Sequence, residues 1–231
     1  MSRATGTALH GAREIRPTGR LRFRDGNHPG LRGRFREVGA RALTTFYRRM
    51  LFMAYPLDQF EIPVYKAGIE VDFSELRETE IDEYVSFRPD SDRKEIRARL
   101  GEGHRCFISR HEGSLIDACW SATRDVYVPY MNRYLSMPRG DVYNFDSYTA
   151  AEHRGHGVYM ARNSFQARTN RAEGLKRSIA LVAHENYAAW LILARSGLRT
   201  LGSYHYVRTP VLPLFWTSPL PGEVIPSLIS K

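Results

Sequence analysis

Val142-Tyr143-Asn144-Phe145-Asp146-Ser147-Tyr148-Thr149 is followed at once by Glu152-His153-Arg154-Gly155-His156-Gly157-Val158. The first stretch is rich in aromatic and β-branched residues and reads as a strand. Its alternation sets Asp146 on the face opposite Phe145. The second stretch reads as a turn into a helix over about 157–173. Glycines at such a turn let a ligand come close to the backbone. The first amides of the helix have no intrahelical acceptor, and the helix dipole adds partial positive charge there. Together they form an anion site suited to phosphate or pyrophosphate. The stretch contains neither G-x-x-x-x-G-K-[ST] nor G-x-G-x-x-G, so it is not a Walker loop or a dinucleotide turn.

The neighbouring sequence alternates in type. Residues 61–72 suggest a strand or two. A short helix follows around Ile81, Tyr84 and Val85, and another over 91–101 with Ser91 as its cap. Arg105–Ser109 and Leu115–Ala122 read as two strands joined by a tight turn. Residues 124–140 carry Tyr127, Tyr130 and Tyr134 between prolines, a loop expected to wall a substrate pocket or to pack on the sheet. Ser178–Ala183 is an apolar strand, Asn186–Ser196 a helix stopped by Gly197, and Arg199–Val207 a final long strand. Strands alternating with helices predict an α/β or α+β sheet.

Of the net charge of +9, all belongs to residues 1–50, which hold twelve Arg and three acids; the remainder balances. The basicity is therefore that of an arm, and nucleic acid is not an expected partner of the body. Residues 1–32, broken by Pro17, Gly19, Gly26, Pro29 and Gly30, read as a disordered Arg/Gly-rich arm. In residues 33–55, Phe35, Val38, Ala42, Phe46, Met50 and Met53 recur at helical spacing. They predict an amphipathic helix, packed on the domain or lying peripherally on an anionic membrane, with a linker to residue 60. A domain over 61–210 and a Pro-rich extended tail over 211–231 complete the plan. No apolar run is long enough to span a membrane, and no signal peptide is evident. Cys106 and Cys119 read as small buried residues, and a cytoplasmic location follows from cysteine usage. His153, His156 and His184 have no metal-ligand spacing.

Arg154-Gly155-His156-Gly157 resembles the R-x-x-G-x-G/A turn of the GNAT superfamily of acyl-CoA-dependent N-acyltransferases. Asn186, with Ala189 three residues on and Gly197-Leu198 eleven and twelve on, matches a second segment of that family. The resemblance covers roughly 69–208, with 141–200 carrying nearly all of it. It implies a central mixed, mostly antiparallel sheet flanked by helices, here with an N-terminal extension. It implies acetyl-CoA or another acyl-CoA as co-substrate and an amine as acceptor, a small molecule by the aromatic loop. A homodimer is common for the fold.

The resemblance also places the ligand. Pantetheine would pair with Ser147, Tyr148 and Thr149. The pyrophosphate would meet Arg154, Gly155, His156, Gly157, Val158, Tyr159 and Met160, with Asn186 orienting cofactor or acceptor or capping its helix. Two positions depart from the family: Tyr159 stands for a small residue, and Leu193 for the tyrosine that protonates the leaving thiolate. Asp146 is the first candidate to deprotonate the amine, with Glu185 second, and Tyr204 and Tyr206 are candidates to protonate the thiolate. Two rivals remain: an aminoacyl-tRNA-dependent transferase of similar fold, whose arm would hold RNA, and a degenerate acyl-CoA-binding module.

Overall fold

The computed structural model describes residues 47–209 and 213–230. The arm and residues 33–46 of the expected helix lie outside them. Eleven described strands and four α-helices occur in the order β1 (Tyr47–Pro56), β2 (Asp72–Glu75), α1 (Ile81–Phe87), α2 (Arg93–Gly101), β3 (Arg105–His111), β4 (Ser114–Ala122), β5 (Val126–Val128), β6 (Arg133–Leu135), β7 (Asp141–Thr149), α3 (Val158–Ala172), β8 (Arg177–Ala183), α4 (Tyr187–Arg195), β9 (Arg199–Val207), β10 (Leu214–Pro219) and β11 (Leu228–Ile229). The main sheet has the order β10-β9-β1-β8-β7-β4-β3-β2, and β11-β6-β5 form a second, small sheet. The sheet is antiparallel throughout except at β7 and β8, which are parallel and joined through α3.

The sequence expectation fails at β1. Residues 47–56 form a central strand between β8 and β9, not the end of a helix. Met50 to Tyr55 is a nearly unbroken apolar run. A strand covered on both faces needs such a run, and a run of that kind satisfies helical spacing equally well. The main sheet therefore begins before residue 61 and continues past 210. Between β1 and β2 the chain forms no strand, contrary to expectation. It runs back along α3 instead: the Phe60 carbonyl accepts from Arg171, the Pro63 carbonyl from Ser164 (2.5 Å), and Gly68 N donates to the His156 carbonyl (2.7 Å). The cap of α2 is Asp92, whose carboxylate accepts from Lys94 N at 2.9 Å, and not Ser91.

On one face of the sheet, α1 and α2 cover Cys106, Ile108, Ala118 and Trp120. Beside them the small sheet covers Phe52, Tyr143, Ile179 and Tyr204 with Val126, Val128, Leu135 and Leu228. Phe145 packs against both groups. On the other face α4 covers Met53, Ala180, Val182 and Leu198, and α3 lies next to it, with Ser196 Oγ 3.0 Å from Met160 Sδ. The two cysteines are free and buried, and burial pushes both thiols up in pKa.

Phe165 of α3 stacks on Phe73 and meets Phe107 edge-on, and the rest of what seats the helix on the sheet is polar. Tyr159, Arg162, Gln166 and Asn170 follow the helical period, and the last three are fully buried. Arg162 Nε donates to Asp117 at 2.9 Å, its Nη1 to Gln166 at 2.6 Å and its Nη2 to Ser147 Oγ at 2.7 Å. Asp117 also accepts from Thr149 Oγ1 (2.6 Å), and Gln166 donates to Ser121 (2.6 Å) and Asn144 (2.9 Å). The network thus crosses from α3 to β4 and β7. Arg162 stays protonated because Asp117 lies beside it, although its burial alone would favour the neutral form. A buried charge left without its partner costs about 3–5 kcal/mol, whereas an apolar replacement of both is far cheaper. Asp117→Leu or Arg162→Met alone should each lower unfolding free energy by about that amount in urea titration, and the double variant by clearly less than their sum.

Candidate active site

The parallel pair β7–β8 is registered only from Asp141 opposite Arg177 to Asn144 opposite Ala180. Beyond Asn144, β7 continues to Thr149 and β8 to Ala183 without pairing. The cause is visible at Asp146. It has φ +52°, a left-handed conformation that is costly for a residue with a side chain, and the β4–β7 register slips between Ala118 and Trp120. This is a β-bulge, which bends the strand that carries it. It turns β7 away from β8 and opens the sheet, leaving strand backbone free to pair with an extended ligand.

The bulge also corrects the alternation. Arg99 lies 5.4 Å from the Phe145 ring and 2.6 Å from Asp146 Oδ2, so the two residues are served by one guanidinium and do not face opposite ways. Arg88 meets the other oxygen of Asp146 at 2.5 Å. Both carboxylate oxygens are thus engaged, and an amine has to displace an arginine to reach them. Asp146 anchors the bulge to the chain after α1 and to α2. After the bulge the faces resolve. Tyr148 packs on Phe87 (5.2 Å between ring centres) and under Arg88, on the α1/α2 face. Ser147 and Thr149 point to the α3 face, into the Arg162–Asp117 network.

The turn at the mouth of the gap has the expected form. Gly155 and Gly157 have φ of +83° and +73°, and Gly157 is the N-cap of α3. A side chain at Gly157 would be strained by that φ, and its Cβ would lie 3.6 Å from the Lys66 carbonyl. Arg154 Nε donates to the Thr149 carbonyl at 3.0 Å, which fixes the turn to the end of β7. His156 is exposed, and exposed Lys66 belongs to the segment that touches the turn. Val158 is buried, and Met160 packs against the end of α4. Tyr159 turns inward under the Arg162 guanidinium, 4.9 Å from its ring centre, and burial pushes its phenol up in pKa. Its bulk is therefore taken up between α3 and the sheet, not at the amides of the turn.

The remaining candidates separate. Asn186 is the N-cap of α4, its side chain accepting from Ala189 N at 3.1 Å. Leu193 packs in the apolar cluster beneath α4. Tyr204 is fully buried and donates to the Pro226 carbonyl at 2.6 Å, so it is a core residue and not a proton donor to substrate. Burial pushes its phenol up as well. Tyr206, on the same face of β9, lines a polar cleft of about 320 Å³ with Arg48, Pro129, Asn132 and Arg208. The aromatic loop does two things: its strands β5 and β6 cover the core, and Tyr130 reaches out to Glu185 at the end of β8, its hydroxyl donating to that carboxylate. Arg48, Arg88, Arg99, Arg162 and Asp117 were not singled out by sequence. The spacing of Arg162, Gln166 and Asn170 was the one legible sign, a polar stripe on the inward side of a helix.

No family model matches the chain, and no curated protein does. Solved structures do. The GCN5-related glucosamine N-acetyltransferase region of a fungal multi-domain GH3 β-N-acetylglucosaminidase matches with a TM-score of 0.52 at 16% identity, over 74% of this chain and 22% of that one. A protein of Novosphingobium aromaticivorans assigned to the GNAT acetyltransferases matches with a TM-score of 0.49 at 15% identity, over 69% of this chain and 62% of that one. A predicted acetyltransferase of Clostridium acetobutylicum solved with acetyl-CoA gives 0.40 at 14%, over 54% and 88%. At these identities likeness speaks for architecture, and on the first of the three the chain has the fold of the GNAT acetyltransferases, as the glycine turn and the Asn186 segment implied.

Proposed function

We propose that the chain is an N-acyltransferase that moves an acetyl or longer acyl group from acyl-CoA to an amine. The observation that carries this reading is the gap opened by the Asp146 bulge between β7 and β8, with the turn that leads to the amides of Gly157, Val158, Tyr159 and Met160 fixed to the end of β7 by Arg154. The pyrophosphate binds those amides, with Arg154 and Lys66 supplying positive charge and His156 a ring N–H donor. Pantetheine enters from the α3 side and pairs with the edge of Ser147–Thr149 turned away from β4, beside the Thr149 carbonyl that Arg154 holds. A free strand amide there polarises the thioester carbonyl. The acceptor comes from the opposite face, where the polar cleft lies.

Glu185 is the exposed carboxylate at the end of β8, and in this reading it takes the proton of the bound ammonium. The freed amine attacks the thioester carbonyl, and the tetrahedral intermediate collapses with loss of the thiolate. Tyr206 gives that thiolate a proton, and the second proton of the amine, shed as the nitrogen becomes an amide, passes through water to restore the tyrosine. Much of the acceleration comes from holding amine and thioester together. The second reading, acyl-CoA binding without turnover, is favoured by the apolar environment of Leu193 and the burial of Tyr204.

Thermal unfolding with acetyl-CoA, coenzyme A and a longer acyl-CoA tests the cofactor site. At a hundred times its dissociation constant a ligand of the folded state adds about 2.7 kcal/mol. His156→Glu puts a negative charge at an exposed position of the turn. It should abolish the rise in midpoint while shifting the unliganded stability by no more than about 0.5 kcal/mol. A flat midpoint with every CoA species overturns the reading.

The two tyrosines of β9 should behave oppositely. Tyr206→Phe should lower kcat by roughly 10²-fold or more with KM for acyl-CoA unchanged. Tyr204→Phe should leave kcat intact and cost about 1–3 kcal/mol of stability, because the Pro226 carbonyl loses its donor. Acyl-CoA binding with no amine acylated by the wild type establishes the second reading instead.

A further inference from the structure

The cleft beside Tyr206 has a composition that selects its occupant. Its lining residues are Arg48, Pro129, Asn132, Tyr206 and Arg208, and none of them is acidic. Arg208 is exposed and makes no ion pair among the described residues. Arg48 donates to the Tyr130 carbonyl at 2.6 Å and lies over the Tyr130 ring, 5.1 Å from its centre, but it too has no carboxylate partner there. Arg133 adds a third guanidinium close by: it stacks 5.2 Å over Phe215, the cross-strand neighbour of Tyr206, and its Nε is buried with no partner. Several arginines elsewhere are answered by acids, Arg105 by Glu75 and Glu173, Arg110 by Glu80 and Glu83, Arg177 by Asp141 and Arg162 by Asp117, whereas Arg154, Arg168 and Arg171 are answered by single carbonyls; in the cleft two guanidiniums without an acid converge. Glu185 engages the hydroxyl of Tyr130, the residue on which Arg48 rests.

Position gives the cleft its meaning. In β1, Met50 faces Ala183 at the end of β8, and His184 N donates to the Arg49 carbonyl at 2.9 Å. Arg48 therefore lies just beyond the end of β8, at the end of the sheet where β7 and β8 have parted. Tyr130 links Arg48, which lies over the face of its ring, to Glu185, which takes its hydroxyl, so the positive cleft and a carboxylate share one aromatic side chain. We infer that the cleft binds the anionic group, carboxylate or phosphate, of an acceptor that also carries the reacting amine. Arg208 and Arg48 hold the oxyanion by charge-assisted hydrogen bonds, and the ammonium is drawn toward Glu185. The inference deepens the acyltransferase reading and rests on it for the role of the amine; the anion site itself does not depend on it.

Binding is read by calorimetry on the full chain saturated with coenzyme A, and again without it. The probes are phosphoethanolamine and β-alanine, each paired with its counterpart lacking the anion, ethanolamine and β-alaninamide. The expected result is that at least one anionic probe binds at least tenfold more tightly than its counterpart. Arg208→Gln, at an exposed position that leaves the fold intact, should erase that preference without changing the affinity for coenzyme A. Phosphoethanolamine and β-alanine separate phosphate from carboxylate selectivity. Equal affinity within both pairs, no binding of either anion, or an unchanged preference in Arg208→Gln overturns the inference. Failure of coenzyme A to bind while an anion still binds at Arg208 overturns the acyltransferase reading and leaves the anion site standing.

Discussion

Arg162 and Asp117 form a 2.9 Å ion pair from which water is excluded, and the position of everything near the glycine turn follows from it. An isolated charge in that place is intolerable, so the helix cannot slide or rotate without breaking a set of hydrogen bonds that also includes Gln166, Ser147 and Thr149. Apolar packing tolerates small shifts of a helix on a sheet; a polar network with directed bonds does not. The network thus fixes the helix that the glycine turn opens, and fixes at the same time the two strand residues that border the gap. One buried cation sets the distance between the turn and the gap.

A second pair of arginines does related work on the other face. Arg88 and Arg99 take both oxygens of Asp146, and Arg99 also covers the rings of Trp120 and Phe145. A left-handed non-glycine residue in the middle of a strand persists only if its surroundings hold it there. The arginines are those surroundings. Without the bulge the two parallel strands would stay paired to their ends, and no backbone would be left for a ligand. The carboxylate that by sequence looks like a catalytic base is in the structure the fastening of the gap.

The legible parts of the sequence were those governed by local rules. The hairpin at His111–Ser114, the strand before the glycine turn, the helix after it and the helix stopped at Gly197 all follow from turn chemistry and period. The N-terminal strand was misread because residues 50–55 are apolar at nearly every position. Burial on both faces erases the alternation that distinguishes a strand from a helix. The site was half legible for the same reason. Gly155 and Gly157 announce themselves through backbone need, whereas Arg48 and Arg208 meet only because β1 is inserted next to β9, a pairing across more than 150 residues that no local pattern encodes.

That inserted strand joins two features that the sequence treated separately. Because β1 lies between β8 and β9, its N-terminal end carries Arg48 past the end of β8 and into the cleft of Tyr206. The aromatic loop then has a reason to end in Tyr130: the ring rests against Arg48 on one side, and its hydroxyl engages Glu185 on the other. Tyr130 packs against the same core as Val126, Val128 and Leu135, and its hydroxyl does the further work of holding Glu185. In the proposed reading the bulge on β7 makes a place for the acyl donor, and the strand added at β1 supplies charge for the acceptor. Gap and cleft are built by different means, a backbone defect for one and an extra strand for the other, and they lie at the same end of one sheet.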